Sequence, residues 1–225
     1  METRNNRWSM PDLYHDIYGF MQNHRLLGAW ERVSEQHSRV IEKSFSSNHP
    51  VSVLYCGTAT NRNPQFVVQT FRQFGILPSI VTIDLSSKPL DLLVEKRLNP
   101  VQADSSRLPF ANEVFDYITT DFLLSKMPLN AAISTIFEWG RVLRKGGVIS
   151  TTIGIQQSQD HQQCEFTESL AKLLYGVRFI PKEIFKYIFK MAGFEVNFEQ
   201  ARFDQKPFLY LYPDELLLFV TARRM

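Results

Sequence analysis

One glycine and three aspartates in this sequence stand just beyond short apolar segments, where the strands of a sheet should end. They are Gly57, Asp84, Asp104 and Asp121. A glycine there lets the chain turn tightly beside a ligand. A carboxylate at the tip of the second strand can accept both hydroxyl groups of a ribose, as in dinucleotide-binding folds. The pattern therefore predicts that a nucleoside binds at one edge of a sheet.

The segment after the third predicted strand supplies candidates for the base of that nucleoside. Asp104, or the backbone amide of Ser105, could read the edge of an adenine ring, and Leu85 and Leu108 could enclose its faces. Taken alone, Asp84 or Asp104 is equally compatible with a turn or a helix cap. Four landmarks in a fixed order together favour a binding site, namely Val53–Thr60, Val81–Asp84, Asp104–Ile118 and Arg141–Gly147.

Apolar segments and amphipathic segments of helical length alternate along the chain, which requires parallel strands joined by right-handed crossovers. We predict a doubly wound α/β sheet with helices on both faces. The first five predicted strands are Val51–Cys56, Ile80–Asp84, Pro100–Ala103, Phe115–Thr120 and Val148–Ile153. Two extended segments, Phe194–Phe203 and Glu215–Arg223, follow without a helix between them and should pair antiparallel. This gives a seven-stranded, mostly parallel sheet.

The predicted helices connect these strands and also precede them. They are Ala29–Phe45, Asn63–Phe74, Pro89–Arg97, Pro128–Leu143, Phe166–Tyr175 and Pro181–Ala192. We predict a helical N-terminal cap over residues 1–48, the sheet domain over 49–225, and a cap insertion over 155–180. Both cap segments contain many aromatic side chains. These could line a site for a small apolar or aromatic molecule, or simply pack the cap onto the sheet.

The composition excludes several classes of protein. The chain has 225 residues and a net charge of +2, which indicates neither a nucleic acid nor an anionic membrane as partner. It contains no apolar stretch of membrane-spanning length and no apolar segment near its first residues. Its two cysteines are typical of a reduced, cytoplasmic protein. No metal-ligand spacing is present, and the aromatic N-terminal helices could cover either the active site or a second subunit, which leaves the oligomeric state open.

Four segments together make the chain resemble the class I S-adenosylmethionine-dependent methyltransferases, within their small-molecule methyltransferase-domain group. They are Asp104–Phe110, Phe115–Ile118, Arg141–Gly147 and Met191–Phe194. The resemblance covers about residues 50–223. It implies a Rossmann-like fold with an antiparallel last strand, S-adenosylmethionine as cofactor, S-adenosylhomocysteine as product, and a small-molecule acceptor.

The first strand departs from the pattern of that family. The family has an acidic residue followed by three alternating glycines, whereas this chain has Tyr55 at the acidic position, Gly57 as the first glycine, and Ala59 and Asn61 at the other two. Tyr55 could reach past or beside the cofactor. Alternatively, the protein could be a non-catalytic binding or scaffold protein. A nicotinamide-dependent oxidoreductase is disfavoured, because Gly57 supplies only the first glycine of the dinucleotide fingerprint.

The resemblance and the positions at strand tips define the expected site. The expected cofactor-binding residues are Tyr55, Gly57, Thr58, Asp84, Leu85, Asp104, Ser105, Asp121 and Phe122. Methyl transfer is an in-line displacement in which positioning supplies much of the rate, together with removal of any proton on the nucleophile. His15 and Asp121 are the expected catalytic residues. The sequence thus predicts a methyltransferase acting on a small, apolar or aromatic metabolite.

Overall fold

The computed structural model describes residues 30–47, 49–58, 62–87, 90, 93–94, 98–156, 178–201 and 217–225. Its helices are α1 (Trp30–Ser44), α2 (Arg62–Gln73), α3 (Leu123–Lys126), α4 (Leu129–Val142) and α5 (Lys182–Met191). Its strands are β1 (Val51–Cys56), β2 (Pro78–Asp84), β3 (Pro100–Gln102), β4 (Phe115–Asp121), β5 (Leu143–Gln156), β6 (Ile180–Pro181), β7 (Phe194–Gln200) and β8 (Leu217–Arg224).

The strands form one sheet in the order β3-β2-β1-β4-β5-β8-β7, and the two-residue β6 pairs with β5 off this path. Strands β1 to β5 run parallel, whereas β8 is antiparallel to both β5 and β7. The predicted mostly parallel sheet with an antiparallel last strand is confirmed. The strand order reverses between β1 and β4, which is the point where open α/β sheets bind ligands.

Helices cover both faces of the sheet. Successive side chains of a strand point to opposite faces, so apolar side chains on both faces are buried by packing against helices. Ile118 packs in one apolar cluster with Ile136 and Trp139 of α4. Its neighbour Tyr117 packs in the other cluster, with Phe71 of α2. Ile41 of α1 is fully buried in this second cluster, so α1 also lies on that face. The division into a cap and a sheet domain stays a prediction.

Three elements differ from the prediction. Strand β5 begins directly at the end of α4, because Leu143 already pairs with Phe115 of β4. The register of the two strands shifts between Phe115 and Tyr117, and Gly146, with φ +77°, lies in the corresponding part of β5. The four-residue α3 and the two-residue β6 are too short to produce a periodic pattern. The predicted helix Phe166–Tyr175 lies outside the described residues, as does most of Pro89–Arg97.

None of the described helices is long and apolar enough to cross a membrane. Within the part of the chain that the structure describes, no group of three or more His, Cys, Asp and Glu side chains could hold a metal ion.

Candidate functional site

The carboxyl ends of β1, β2 and β4 meet at one edge of the sheet. Gly57 directly follows β1, and its N–H donates to the carbonyl of Ile83 on β2 at 2.9 Å. Its φ of +71° is a conformation that residues with a Cβ rarely adopt. A Cβ built at Gly57 would also lie 3.0 Å from Cδ1 of Leu123. The chain therefore needs glycine to turn here and still leave room beside the strand tips.

Asp84 at the tip of β2 is buried and held by the neighbouring backbone. Its Oδ1 accepts the N–H of Ser86 at 3.0 Å, and the hydroxyl of Thr58 donates to its Oδ2 at 3.4 Å. The residue is 9% exposed, whereas the side chain of the following Leu85 is 40% exposed. A fixed carboxylate and an exposed apolar side chain thus stand next to each other at this edge.

The segment after β3 forms a turn stabilised by Asp104. Its Oδ1 accepts the N–H and the hydroxyl of Ser106 at 2.8 and 2.7 Å. Ser105 is buried, and Leu108 belongs to the core cluster on the α4 face. The N–H of Ala103 donates to the carbonyl of Asp84 at 3.0 Å, which ties this turn to the tip of β2.

Two residues of α4 clamp the same segment. Nη2 of Arg141 donates to the carbonyl of Leu108 at 3.0 Å, and its Nη1 donates to the carbonyl of Phe110 at 2.7 Å. Glu138 accepts the N–H of Leu108 at 2.7 Å and is itself bound by Nε and Nη2 of Arg141. The Arg141 guanidinium holds the pKa of the Glu138 carboxyl below its usual value. Two of the sequence landmarks, Asp104–Phe110 and Arg141–Gly147, therefore interlock physically.

Tyr55, the residue at the position of the family's acid, points into the core and reaches β4. Its ring is 1% exposed and packs in the cluster with Val67 and Phe71. Its hydroxyl donates to Oδ2 of Asp121 at 3.2 Å. Burial and the charge of Asp121 raise the pKa of Tyr55 well above its usual value. The phenol is thus a neutral donor that directs a carboxylate rather than a group standing free at the edge.

His37, which the sequence did not single out, binds the other oxygen of Asp121. Nε2 of the His37 ring lies 3.2 Å from Oδ1 of Asp121, and the two side chains are 5% and 8% exposed. Nδ1 lies 2.6 Å from the hydroxyl oxygen of Ser150, which is hydrogen-bonded to the Tyr117 hydroxyl. The structure therefore builds a polar cluster under α1 that ends at Asp121.

Two residues after β4 differ from their usual state: Phe122 in its backbone conformation, and Lys126, at the end of α3, in its pKa. Phe122 has φ +58°, which is a strained conformation for a bulky residue, and its N–H donates to the carbonyl of Thr152 at 3.0 Å. Burial lowers the pKa of Lys126 to about 8, against the charges of Asp121 and Asp84, which raise it. The side chain of Lys126 therefore interacts electrostatically with the carboxylates of Asp121 and Asp84.

The remaining expectations are placed as follows. His15, Ala59 and Asn61 lie outside the described residues. Burial raises the pKa of the Cys56 thiol to about 12, which makes it an unreactive core residue. The ends of β1, β2 and β3 bring five expected positions to one edge of the sheet: Gly57, Thr58, Asp84, Leu85 and the turn at Asp104–Ser105. Asp121 and Phe122 lie at the end of β4, on the other side of β1 from β2.

Residues 56–151 match the family described as methyltransferase domain. Among curated proteins, an uncharacterized protein of Haemophilus influenzae is 28% identical over 67% of this chain and 60% of its own length. A demethylmenaquinone methyltransferase of Staphylococcus saprophyticus is 26% identical over 61% of this chain and 59% of its own length. The matched part of the chain thus spans about three fifths of the length of these curated relatives.

A solved structure from Thermotoga maritima, a SAM-dependent methyltransferase described as a possible histamine N-methyltransferase, covers 98% of this chain and 100% of its own. Its TM-score is 0.67 at 14% identity, a likeness that concerns the fold. The resemblance inferred from the four sequence landmarks is confirmed. The comparisons also support the prediction of an S-adenosylmethionine-dependent enzyme.

Proposed function

Because residues 56–151 match the family described as methyltransferase domain, we propose that this chain transfers the methyl group of S-adenosylmethionine to a small molecule. The observation that carries the proposal is the buried carboxylate of Asp84 at the tip of β2, beside the left-handed Gly57. A carboxylate in this place accepts the hydroxyl groups of a ribose in folds of this kind.

The nucleoside lies over β2 and β3 in this proposal. Asp84 accepts both ribose hydroxyls, and Gly57 and Thr58 border the sugar. Asp104, or the N–H of Ser105, reads the adenine edge, and the exposed Leu85 covers one face of the ring. The hydrogen bonds from Asp84 to Ser86 and Thr58 support this arrangement, because they fix the carboxylate before the ligand arrives.

The amino-acid tail of the cofactor then extends across β1 towards β4. The strand order places β1 between β2 and β4, and neighbouring strands lie about 4.8 Å apart. The tips of β2 and β4 are therefore separated by about 10 Å, a separation that the cofactor can span from its ribose to its ammonium group. Asp121 is the carboxylate that receives this ammonium group, with Tyr55 and Phe122 beside it.

The reaction is an in-line displacement at the sulfonium methyl group. The lone pair of the acceptor forms the new bond to carbon while the electrons of the carbon–sulfur bond remain on sulfur, which leaves the neutral thioether S-adenosylhomocysteine. A proton on the acceptor leaves to a base. His15 is the candidate for that base, because Asp121, the other catalytic residue expected from the sequence, binds the ammonium group in this arrangement.

We propose a small apolar or aromatic acceptor, and no nucleic acid or membrane partner. The aromatic content of residues 8–30 and 155–180 supports this proposal. The near-neutral charge of the chain argues against an anionic polymer. Cys56 is a free, buried thiol, which is consistent with a cytoplasmic location.

Titration calorimetry with S-adenosylmethionine and S-adenosylhomocysteine tests the proposal. Asp84→Ala should weaken binding roughly 10- to 100-fold, as expected for the loss of hydrogen bonds to a charged group. Asp84→Asn keeps an oxygen for the N–H of Ser86 and checks that a loss of binding is not a loss of folding. Asp116→Ala is the matched control, because Asp116 binds Arg144 and the N–H of Ser52 at the other end of β4.

No heat from the wild-type protein with either nucleoside would refute the proposal. Tight binding of both nucleosides, with the Asp84 variants binding as well as wild type, would refute the assigned site. Binding without any methyl transfer across a panel of acceptors would favour the non-catalytic alternative.

A further inference from the structure

Helix α1 brings one histidine into the polar part of the sheet. His37 is 4% exposed and lies edge-on against the ring of Phe219, with the ring centroids 5.0 Å apart. Its partners come from β4 and β5, between 80 and 113 residues further along the chain. A buried imidazole has to satisfy both ring nitrogens, and here each nitrogen finds a hydrogen-bonding partner.

The two ring nitrogens of His37 have different surroundings, with hydroxyl groups around Nδ1 and the Asp121 carboxylate beside Nε2. Nδ1 of His37 lies 2.6 Å from Oγ of Ser150, which is hydrogen-bonded to the Tyr117 hydroxyl, and 3.3 Å from the hydroxyl oxygens of Thr119 and Tyr117. The N–H at Nε2 of His37 donates to Oδ1 of Asp121 at 3.2 Å. An ionised carboxylate only accepts hydrogen bonds, so the proton of this contact lies on Nε2.

The Tyr55 hydroxyl completes the restraint on Asp121 from the opposite side. It donates to Oδ2 at 3.2 Å, whereas His37 donates to Oδ1. Both carboxyl oxygens therefore have a partner, since the Thr152 hydroxyl also donates to Oδ1 at 3.5 Å, and this fixes the position and the plane of the carboxyl group. Tyr55 comes from β1 and His37 from α1, so two separate elements converge on one side chain.

We propose that His37 is a positioning residue, which orients Asp121 to receive the ammonium group of the cofactor's amino-acid tail. The inference rests on the proposed function. It extends the cofactor site to α1, a helix that contributes no residue to the nucleoside half. It also assigns a proton to Nε2 of the ring, because Oδ1 of the Asp121 carboxylate only accepts hydrogen bonds.

Two ligands separate positioning from a general effect on folding. S-Adenosylhomocysteine carries the amino-acid tail, whereas 5′-methylthioadenosine keeps the ribose and adenine but lacks that tail. His37→Leu removes the donor to Asp121 and should raise the dissociation constant of S-adenosylhomocysteine about tenfold, as expected for one hydrogen bond to a charged group. The dissociation constant of 5′-methylthioadenosine should change by less than about twofold, because no lost contact involves the nucleoside.

Two further variants complete the experiment. His37→Gln places an amide N–H where Nε2 lies and should restore binding of S-adenosylhomocysteine to within about threefold of wild type. Ile41→Val is the control for loosened packing of α1, because Ile41 is fully buried on the same helix and makes no contact with Asp121 in the proposed network. It should lower the melting temperature slightly and leave both dissociation constants unchanged.

The outcomes distinguish this inference from the proposed function. If the wild-type protein binds neither ligand, the proposed function fails and the inference fails with it. If wild type binds both ligands and His37→Leu weakens them equally, or weakens neither, only the role of His37 is refuted. Nitrogen-15 spectra of the ring that show no proton on Nε2 would also contradict the role of His37.

Discussion

The two halves of the sheet edge are built in different ways. On the β2–β3 side, Asp84 and Asp104 are of the types that the resemblance implies. Each accepts a backbone N–H from two residues further on, Ser86 and Ser106, and Asp84 also accepts the hydroxyl of Thr58. On the β1–β4 side, the acid of the first strand is replaced by Tyr55. There the contacts are long-range and join Asp121 to β1 and α1.

In the proposed site, the carboxylate of the β1–β4 half is that of Asp121 on β4, and residue 55 on β1 carries no charge. Tyr55 brings no charge, but its hydroxyl is 3.2 Å from the carboxylate of Asp121 on the neighbouring strand. The nucleoside half is formed by strand ends and short turns, with the clamp from Glu138 and Arg141 of α4 on the turn after β3. The tail half depends on the packing of α1 against the sheet, so substitutions in the two halves should affect stability and binding differently.

The largest expected effect comes from restoring the family's acid in the first strand. Tyr55→Asp removes a ring that is 1% exposed and buries a second carboxylate beside Asp121. We expect a loss of about 3–5 kcal/mol in the free energy of unfolding, as for other deletions of buried aromatic side chains. Urea denaturation followed by circular dichroism measures it.

Tyr55→Phe is the matched control for that variant. It keeps the ring and removes only the donor to Asp121, so we expect a loss of about 1–3 kcal/mol. If Tyr55→Asp were as stable as wild type, the Tyr55 ring would not contribute to the core. The family's acid could then be restored on β1 without a loss of stability.

The second prediction compares two left-handed glycines, of which only one lies at the site. Gly57 and Gly146 have φ values of +71° and +77°. Alanine at either position should cost about 1–2 kcal/mol of stability, because a Cβ strains this conformation. At Gly57 the added Cβ also meets Leu123 at 3.0 Å, whereas nothing lies within 4 Å of it at Gly146.

Binding should therefore separate the two glycine variants. Gly57→Ala should raise the dissociation constant of S-adenosylhomocysteine at least about tenfold, a change worth about 1.4 kcal/mol, while Gly146→Ala should leave it unchanged. Calorimetry at a temperature where both variants are folded makes the comparison. Equal affinities would show that the turn after β1 does not border the ligand.

The contrast between the halves also explains what could be predicted from the sequence. Asp84 and Asp104 could be found because each ends a short apolar segment and acts through near neighbours. His37 could not be found, because a single histidine on an amphipathic helix resembles any other and its nearest partner, Ser150, is 113 residues away. Alternation along β1 places Tyr55 on a face of the sheet, but only the packed strands show that its hydroxyl meets Asp121, 66 residues further on.

The smallest effect is expected from the clamp that holds the nucleoside half. Arg141 keeps the pKa of Glu138 below its usual value of 4.5, so the folded state favours the ionised carboxyl. This contribution to stability is present above the unfolded-state pKa and is lost as the pH falls through the lower, folded-state pKa. Glu138→Gln should therefore flatten the decline in stability below about pH 4.5.

The size of this effect should be about 1 kcal/mol or less, since the Arg141 and Glu138 side chains are 33% and 22% exposed. Urea midpoints measured between pH 3 and 6 would reveal it. Glu183→Gln is the matched control, because Glu183 forms an ion pair of the same spacing with Lys186 but is 75% exposed. A parallel pH dependence for wild type and Glu138→Gln would mean that this ion pair does not stabilise the turn.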